Sequence, residues 1–196
     1  RFGVQLAHEL GLLRRQHNET GAAQSTEALA GRIVVPEKRN GHAIWFVGRV
    51  LPDQAPLESG IEETKRYLAL PGPRPLLGYE RVMGEHQVYV TEGVFDYLTG
   101  VEWGLPICAI GGTYLPAERL QALQSASAVV GVLDNDMAGK QAGERLAELL
   151  GPRFLELSLP EGSDLNDLGR TPRGKQRCLA LADKAMKHLE ENRHAA

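Results

Sequence analysis

The first half of the chain alternates between polar stretches and two apolar runs rich in β-branched and aromatic residues. The runs cover residues 32–36 and 43–51, and the Asn40-Gly41 pair between them is a strong signal for a tight hairpin turn. The sequence therefore predicts two antiparallel strands. The preceding thirty residues are polar, with leucines at positions 6, 10 and 13, and this spacing predicts a helix at the start.

After residue 86, short apolar runs alternate with helical segments, which is the pattern of β-α-β units that build a parallel sheet. Each run is short enough for one strand, and each helical segment has an apolar face. The predicted strands cover residues 88–91, 107–110, 129–133 and 154–158. The predicted helices cover residues 94–103, 116–125, 138–150 and, at the carboxyl end, 174–192.

Acidic residues follow these strands at the edge where open parallel sheets bind ligands. Glu92 follows the first strand, Asp134 closes the third, and Asp136 precedes a helix. Carboxylates about 5 Å apart repel by roughly 3 kcal/mol per pair, so such a group needs a cation or a raised pKa. Oxygen ligands favour Mg²⁺ or Mn²⁺ over zinc. Further predicted metal ligands are Asp96, one turn after Glu92, and Asp164 and Asp167, after the fourth strand.

A simpler explanation exists for each acid alone. Asp136 can serve only as the cap of the following helix, and an isolated Asp-x-Asp is weak evidence for a site. The combination is stronger, because its parts fall in one alternating frame. Glu-Gly follows one strand, a Gly-Gly-Thr turn at residues 111–113 follows the next, and Asp-Asn-Asp at residues 134–136 leads into a helix.

This combination resembles the Toprim domain, the α/β metal-binding fold shared by bacterial primases, topoisomerases and some nucleases. In that family a glutamate follows the first strand and an Asp-x-Asp follows the third, which matches Glu92, Asp134 and Asp136. Residues 32–36, 41–51 and 66–68 are also similar to the amino-terminal lobe of the RNA-polymerising core of DnaG-type primases. The resemblance covers roughly residues 30 to 170.

The resemblance implies an α/β fold: a Toprim-type parallel sheet flanked by helices, preceded by a smaller mixed α/β lobe with a β-hairpin. Residues 1–86 would form the primase-like lobe that binds template and nucleotide. Residues 87–170 would form the Toprim catalytic domain, and residues 171–196 an amphipathic helix that packs on the core.

The implied function is that of a DNA primase catalytic core, a nucleotidyltransferase that makes short RNA primers on single-stranded DNA during replication. Glu92, Asp134 and Asp136 would be the catalytic residues, with two Mg²⁺ or Mn²⁺ ions as cofactors. Whether Glu92 is a metal ligand or a general base stays open. The implied partners are single-stranded DNA, ribonucleoside triphosphates and a replicative helicase, the last through regions absent from this chain.

Cations of the first lobe are the candidates for contact with nucleic acid or nucleotide. Arg49 is the best placed, because it lies inside the segment that resembles primases. Exposed Lys and Arg on hairpins are otherwise ordinary solvated surface. Primases usually have an aromatic residue and a lysine after the Tyr-Leu element, where this chain offers only Arg74. The remaining candidates are Lys38, Arg39, Lys65 and Arg66.

The composition excludes several other classes of protein. Apolar residues make up 42% and charged residues 24% of the chain, as in ordinary globular proteins, and no apolar run is long enough to span a membrane. Two cysteines are too few for a disulfide framework, so a cytoplasmic setting is expected. The net charge of -3 divides into +2 for residues 1–81 (11 basic, 9 acidic) and -5 for the rest (11 basic, 16 acidic). Two divalent ions on the acidic half would bring the total to +1.

Two alternatives use the same residues. A Toprim nuclease would keep the metal site and let water attack a phosphodiester. A non-catalytic module would keep the fold, with the metal site serving only to dock nucleic acid or nucleotide, and the missing lysine keeps this alternative open. Topoisomerase activity is less expected, because no separate domain with a tyrosine nucleophile is evident in 196 residues.

Overall fold

The computed structural model describes residues 3–17, 20–50, 67–112, 115–159 and 163–194, with the side chains of the last helix described up to residue 187. The chain folds into two units, Arg1–Arg74 and Pro75–Ala196. The predicted parallel sheet lies in the second unit. In the described residues, no helix is both long and apolar enough to cross a membrane.

The first unit contains one short helix and two small antiparallel sheets, β1-β2 and β3-β4-β5. The predicted first helix is wrong at Leu13, which begins a strand, because Gly11 ends the helix in a left-handed conformation with φ of 72°. The elements are α1 (Val4–Glu9), β1 (Leu13–His17), β2 (Ala23–Glu27), β3 (Arg32–Arg39), β4 (His42–Val50) and β5 (Tyr67–Ala69).

The predicted hairpin is confirmed as β3 and β4. Asn40 and Gly41 both have positive φ, 49° and 77°, which is the conformation of a two-residue turn that matches the twist of antiparallel strands. Trp45 on β4 is buried, and its indole Nε1 donates to the Leu70 carbonyl at 3.3 Å. This tryptophan therefore packs as part of the core of the first unit.

The second unit is built on a four-stranded parallel sheet in the order β7-β6-β8-β9. The strands are β6 (Gln87–Thr91), β7 (Ile107–Ala109), β8 (Ala128–Val132) and β9 (Phe154–Glu156). The helices are α2 (Tyr79–Val82), α3 (Val94–Glu102), α4 (Met137–Leu150), α5 (Leu165–Gly169) and α6 (Gly174–His194), with 3-10 turns at Ala117–Leu123 and Gly151–Arg153. The predicted strands and the helices predicted at 94–103, 138–150 and 174–192 are confirmed to within a few residues, whereas the helix predicted at 116–125 forms a 3-10 helix over Ala117–Leu123.

Both faces of this sheet are covered, which explains its almost continuous apolar strands. Along β6, Val88 and Val90 join one core cluster with residues of α4, while Tyr89 joins a second cluster on the other face. The second cluster includes Cys178 and Ala182, so α6 packs on the same sheet. Each fully buried side chain of this size contributes about 1.5–3 kcal/mol.

Residues 75–86 pack within the second unit, so the boundary lies earlier than residue 86. Leu76 and Val82 are almost fully buried in the cluster that contains α4. Leu77 and Ala109 exchange backbone hydrogen bonds, which adds a short bridge beside β7. The segment before the first predicted strand thus belongs to the core of the sheet.

Candidate functional site

The centre of the acidic edge lies where β6 and β8 end. These strands are parallel neighbours, and Thr91 pairs with Val132, so the residues that follow them leave the sheet at the same edge. Glu92 and Asp134 meet there: the Asp134 amide donates to Oε1 of Glu92 at 3.1 Å. The sheet register alone therefore brings together two residues that are far apart in sequence.

Glycine at position 139 allows the glutamate to approach helix α4. A Cβ at this position would lie 2.6 Å from Oε1 of Glu92 and 1.9 Å from the Asp134 carbonyl oxygen. The same glycine donates its amide to Oδ1 of Asp136 at 2.8 Å, which makes Asp136 the cap of α4. The expectation that Asp136 can act as a cap is confirmed, and this role keeps it next to the other two acids.

Two more carboxylates reach the same edge from α3 and α5. Asp96 lies in the first turn of α3, and its Oδ1 accepts the amide of Asn166 at 2.9 Å. A Cβ at Gly93 would lie 2.2 Å from Oδ2 of Asp96, so this glycine leaves room for the carboxylate. Asp164 caps α5 by accepting the Asp167 amide at 2.6 Å.

The charges of these acids act on one another. Burial is the largest cause that raises the pKa of Glu92 to about 7; the Asp134 amide opposes it, and the charges of Asp134, Asp136 and Asp96 add to it. Burial, followed by the charges of Asp164 and Asp134, raises the pKa of Asp96 to about 6 against the Asn166 hydrogen bond. The acidic cluster is defined here as Glu92, Asp96, Asp134, Asp136 and Asp164.

The pKa of Asp134 is shifted by the same two causes, burial and neighbouring negative charge. Its pKa is raised by burial first and then by the charges of Asp136 and Asp164. Within the described residues, no salt bridge involves a member of the acidic cluster. The cluster thus concentrates negative charge that no side-chain cation of the described residues compensates, which raises the free energy of its ionised form.

The donor chemistry of the cluster fits a hard divalent cation. Its members offer carboxylate oxygens only, and a carboxylate that accepts one backbone amide still has lone pairs for a cation. In the described part of the chain, the side chains are not gathered into a group of three metal ligands. The carboxylate of Asp167 forms an ion pair with Arg170 at 3.7 Å. The ligand set predicted from the sequence stays a prediction.

A glycine turn borders the cluster on the side of β7. Gly111 and Gly112 have φ of 62° and 143°, and the Gly111 amide donates to the carbonyl of Glu92 at 3.1 Å. Arg119 holds the start of this turn, because its Nη2 donates to the carbonyls of Ile110 at 2.6 Å and Pro75 at 3.0 Å. Thr113 of the predicted Gly-Gly-Thr turn lies outside the described residues.

The predicted cations of the first unit have different environments. Arg49 lies over the ring of Tyr67, 5.2 Å from its centroid, in a cross-strand pair of β4 and β5. Arg39 forms an ion pair with the buried Glu37. Lys38 and Arg74 are exposed. Lys65 and Arg66 lie outside the described residues.

Three residues that shape the site were not among the predicted site residues. Gly93 and Gly139 make room for carboxylates, and their signal is a glycine three residues from an acid: before Asp96 in one case, after Asp136 in the other. Arg119 carries no local signal, because its acceptors are backbone carbonyls that only the fold brings near.

Comparisons with known proteins agree with this architecture. Residues 89–169 match the model of a family described as Toprim-like. The Aquifex aeolicus primase, in a structure of its zinc-binding and RNA polymerase domains, superposes with a TM-score of 0.72 at 23% identity, over 93% of this chain and 46% of that one. The E. coli primase catalytic core superposes with a TM-score of 0.71 at 24% identity, over 93% of this chain and 60% of that one.

A third solved structure is a DnaG primase catalytic domain bound to single-stranded DNA, with a TM-score of 0.71 at 26% identity, over 92% of this chain and 60% of that one. The chain therefore spans 46–60% of the length of these solved primases. No curated protein matches the sequence. Residues 89–169 are thus similar to Toprim-like domains, and the chain has the fold of DnaG-type primase catalytic cores.

Proposed function

We propose that the chain is the catalytic core of a DNA primase, which joins ribonucleotides into short RNA primers on a single-stranded DNA template. The observation that carries the proposal is the acidic cluster, five carboxylates without a cationic partner among the described residues, at the ligand-binding edge of a Toprim-like sheet. One structural neighbour has single-stranded DNA bound to it, which supports the proposal that DNA is the template.

Asp134 and Asp136 are the proposed main ligands of two Mg²⁺ or Mn²⁺ ions, with Glu92, Asp96, Asp164 and Asp167 as further candidates. Toprim and primase cores are generally dependent on divalent metal ions. When bound, such ions neutralise triphosphate charge and stabilise the leaving oxygens in phosphoryl transfer. The side chains contribute by positioning the ions and the reacting groups.

Glu92 has two compatible roles. Its Oε1 is fixed by the Asp134 amide, so the carboxylate has a defined place beside the proposed ligands. Its raised pKa suits a group that accepts the proton of the attacking 3′-hydroxyl, because a base works best when its pKa lies near the working pH. The oxygen of this 3′-hydroxyl forms a bond to the α-phosphorus of the incoming nucleotide, and pyrophosphate leaves.

We assign the binding of the template and of the nucleotide to cations of the first unit. Arg49 is the strongest candidate: Tyr67 stacks against its guanidinium and is itself 38% exposed, so the pair offers a cation and an aromatic surface to a nucleotide strand. Lys38 and Arg74 are exposed and stay candidates with Lys65 and Arg66. Arg39 is weaker, since Glu37 already neutralises it. Contact with a helicase is assigned to regions outside this chain.

The test is a primer-synthesis assay with labelled ribonucleotides, single-stranded DNA and Mg²⁺ or Mn²⁺. Loss of an interaction worth several kcal/mol in Asp134→Asn or Glu92→Gln lowers the rate by about 100-fold or more. Glu144→Gln is the matched control, because Glu144 is an exposed acid on α4 outside the cluster. We expect metal-dependent oligoribonucleotides from the parent and the control only.

The other outcomes separate the alternatives. Shortening of the template, lost in Asp134→Asn, would identify a Toprim nuclease. Absence of any product, with DNA binding retained by the parent and both cluster variants, would contradict both enzymatic functions and leave a nucleic-acid-binding module.

A further inference from the structure

A groove in the first unit is separate from the acidic cluster. It lies between α1 and the β1-β2 hairpin and has a volume of about 460 Å³, within the range of small-ligand pockets. Its lining consists of Val4, Gln5, His8, Glu9, Arg15 and Ser25. Most of these residues are polar, so the groove differs from the apolar gaps left by imperfect packing.

Two regular elements place these side chains. On α1, Gln5 and Glu9 are four residues apart and therefore share a face, where Nε2 of Gln5 donates to Oε1 of Glu9 at 3.1 Å. Arg15 and Ser25 are directly opposite each other in the hairpin, so their side chains lie on one face of the ribbon. The groove thus has an acceptor side on the helix and a donor side on the hairpin.

His8 connects the helix to the hairpin. Its Nδ1 lies 3.1 Å from the Leu13 carbonyl oxygen, which can only accept, so Nδ1 carries the proton of that contact. Its Nε2 lies 2.9 Å from Oγ of Ser25. This contact holds Oγ of Ser25 on the hairpin side of the groove.

Arg15 supplies the positive charge of the groove. Its guanidinium offers five N–H donors, and in the described part of the chain it makes neither a hydrogen bond nor an ion pair. Guanidinium groups bind phosphate through paired hydrogen bonds. The acceptor side is Glu9, whose carboxylate suits a hydroxyl donor. The groove therefore offers one end to a phosphate and the other to a sugar hydroxyl.

We propose that this groove binds a ribonucleotide, with the phosphate at Arg15 and Ser25 and a ribose hydroxyl at Glu9. The volume exceeds that of a phosphate ion alone, and the exposed Val4 gives the base an apolar surface. A free nucleotide and the 5′-phosphorylated end of a strand share this chemistry. The site goes beyond primer synthesis and uses no residue of the acidic cluster.

The test is calorimetric titration of the full chain with AMP, adenosine and inorganic phosphate in EDTA, which removes divalent ions from the acidic cluster. We expect AMP to bind at least about tenfold more tightly than adenosine, because adenosine lacks the group that Arg15 binds. Arg15→Ala and Arg15→Gln should each weaken AMP binding by about tenfold, and Ser25→Ala by less. Circular dichroism and thermal unfolding verify that each variant is folded.

Arg14→Ala is the matched control. Arg14 is the neighbouring strand position, so its side chain lies on the opposite face, and the substitution removes the same charge. It should change AMP affinity by less than about twofold. Equal weakening by Arg14→Ala and Arg15→Ala would overturn the proposal, as would no AMP binding by the parent up to about 10 mM.

Competition between AMP and an oligoribonucleotide, with or without a 5′-phosphate, distinguishes the two sources of the ligand. Displacement only by the phosphorylated strand identifies a strand end, and displacement by neither strand identifies a free nucleotide. Displacement by both strands alike would contradict recognition of a terminal phosphate. Since the titration excludes divalent ions, its failure leaves the proposal of primer synthesis untouched.

Discussion

Two glutamates of this protein occupy opposite electrostatic environments. Glu37, on β3 of the first unit, is 2% exposed and forms an ion pair with Arg39 on the same strand. Glu92, at the end of β6 in the second unit, is surrounded by the charges of Asp96, Asp134 and Asp136. Glu37 is buried and Glu92 half-buried, and among the described residues a side-chain cation forms an ion pair with the first and none with the second.

The difference shows which acid serves the fold and which serves a ligand. An ion pair satisfies a buried charge within the chain itself, whereas a group of ionised carboxylates stores repulsion until a cation arrives.

Gly139→Ala should destabilise the protein most. The new Cβ would meet the Asp134 carbonyl oxygen at 1.9 Å and Oε1 of Glu92 at 2.6 Å, so the start of α4 must move. We expect a loss of about 3 kcal/mol in the free energy of unfolding, measured by urea denaturation. The matched control is Gly143→Ala on the same helix, where the nearest atoms belong to the side chains of Glu156 and Leu133 at 3.1–3.4 Å.

The control should be close to neutral, because the gain in helix propensity of about 1 kcal/mol offsets a small adjustment of two side chains. If both variants lose the same stability, close contact between α4 and the acidic cluster does not explain why position 139 requires glycine.

Glu37→Gln should destabilise the protein by about 2 kcal/mol at neutral pH. The substitution keeps the size of the side chain but leaves the Arg39 guanidinium, 24% exposed, without its counter-charge. Urea denaturation of the metal-free protein measures the change. The double variant Glu37→Gln, Arg39→Gln should recover part of the loss, and a double variant no more stable than the single one would show that charge pairing is not the cause.

Glu92→Gln should instead increase the free energy of unfolding. In EDTA at pH 7.5, removal of this charge relieves its repulsion with neighbouring acids, and Gln can still accept the Asp134 amide. Because the side chain is half-exposed, solvent screening limits the gain to about 1 kcal/mol. Destabilisation of the metal-free protein by Glu92→Gln would contradict the assignment of stored repulsion to this edge.

The stability of the metal-free protein should fall as pH rises from about 4 to 7. The folded-state pKa values of Glu92 and Asp96, about 7 and about 6, lie above their ordinary values of 4.5 and 3.8. In this window the folded state binds more protons than the unfolded state, so each rise in pH favours unfolding. Thermal unfolding of the parent and of Asp96→Asn at several pH values measures the slope, which the variant should reduce; an equal slope would exclude Asp96.

Much of the second unit could be predicted from the sequence, because its information is local. Runs such as Val88–Thr91 are apolar throughout, as buried parallel strands are, and the acids follow directly after them. The edge of the sheet then follows from strand direction. The hairpin of the first unit was equally local, since Asn40 and Gly41 specify the turn.

The remaining features depend on contacts between distant residues. Leu13 fits a helical spacing in sequence, yet it begins a strand because Gly11 reverses the chain and β2 offers a partner. Polar strands such as β1 and β2 have no buried face, so periodicity gives no signal for them. The approach of Glu92 to Gly139 likewise requires the three-dimensional positions of β6 and α4.

The most direct measurement of the central claim is thermal unfolding during titration with MnCl₂. An ion that binds only the folded state adds about 2.7 kcal/mol of stability at a hundredfold excess over its Kd. We predict that Mn²⁺ raises the Tm of the parent and of Glu144→Gln, and raises that of Asp134→Asn much less. A parent Tm that does not respond to Mn²⁺, or the same response in Asp134→Asn, would contradict a metal site at the acidic cluster.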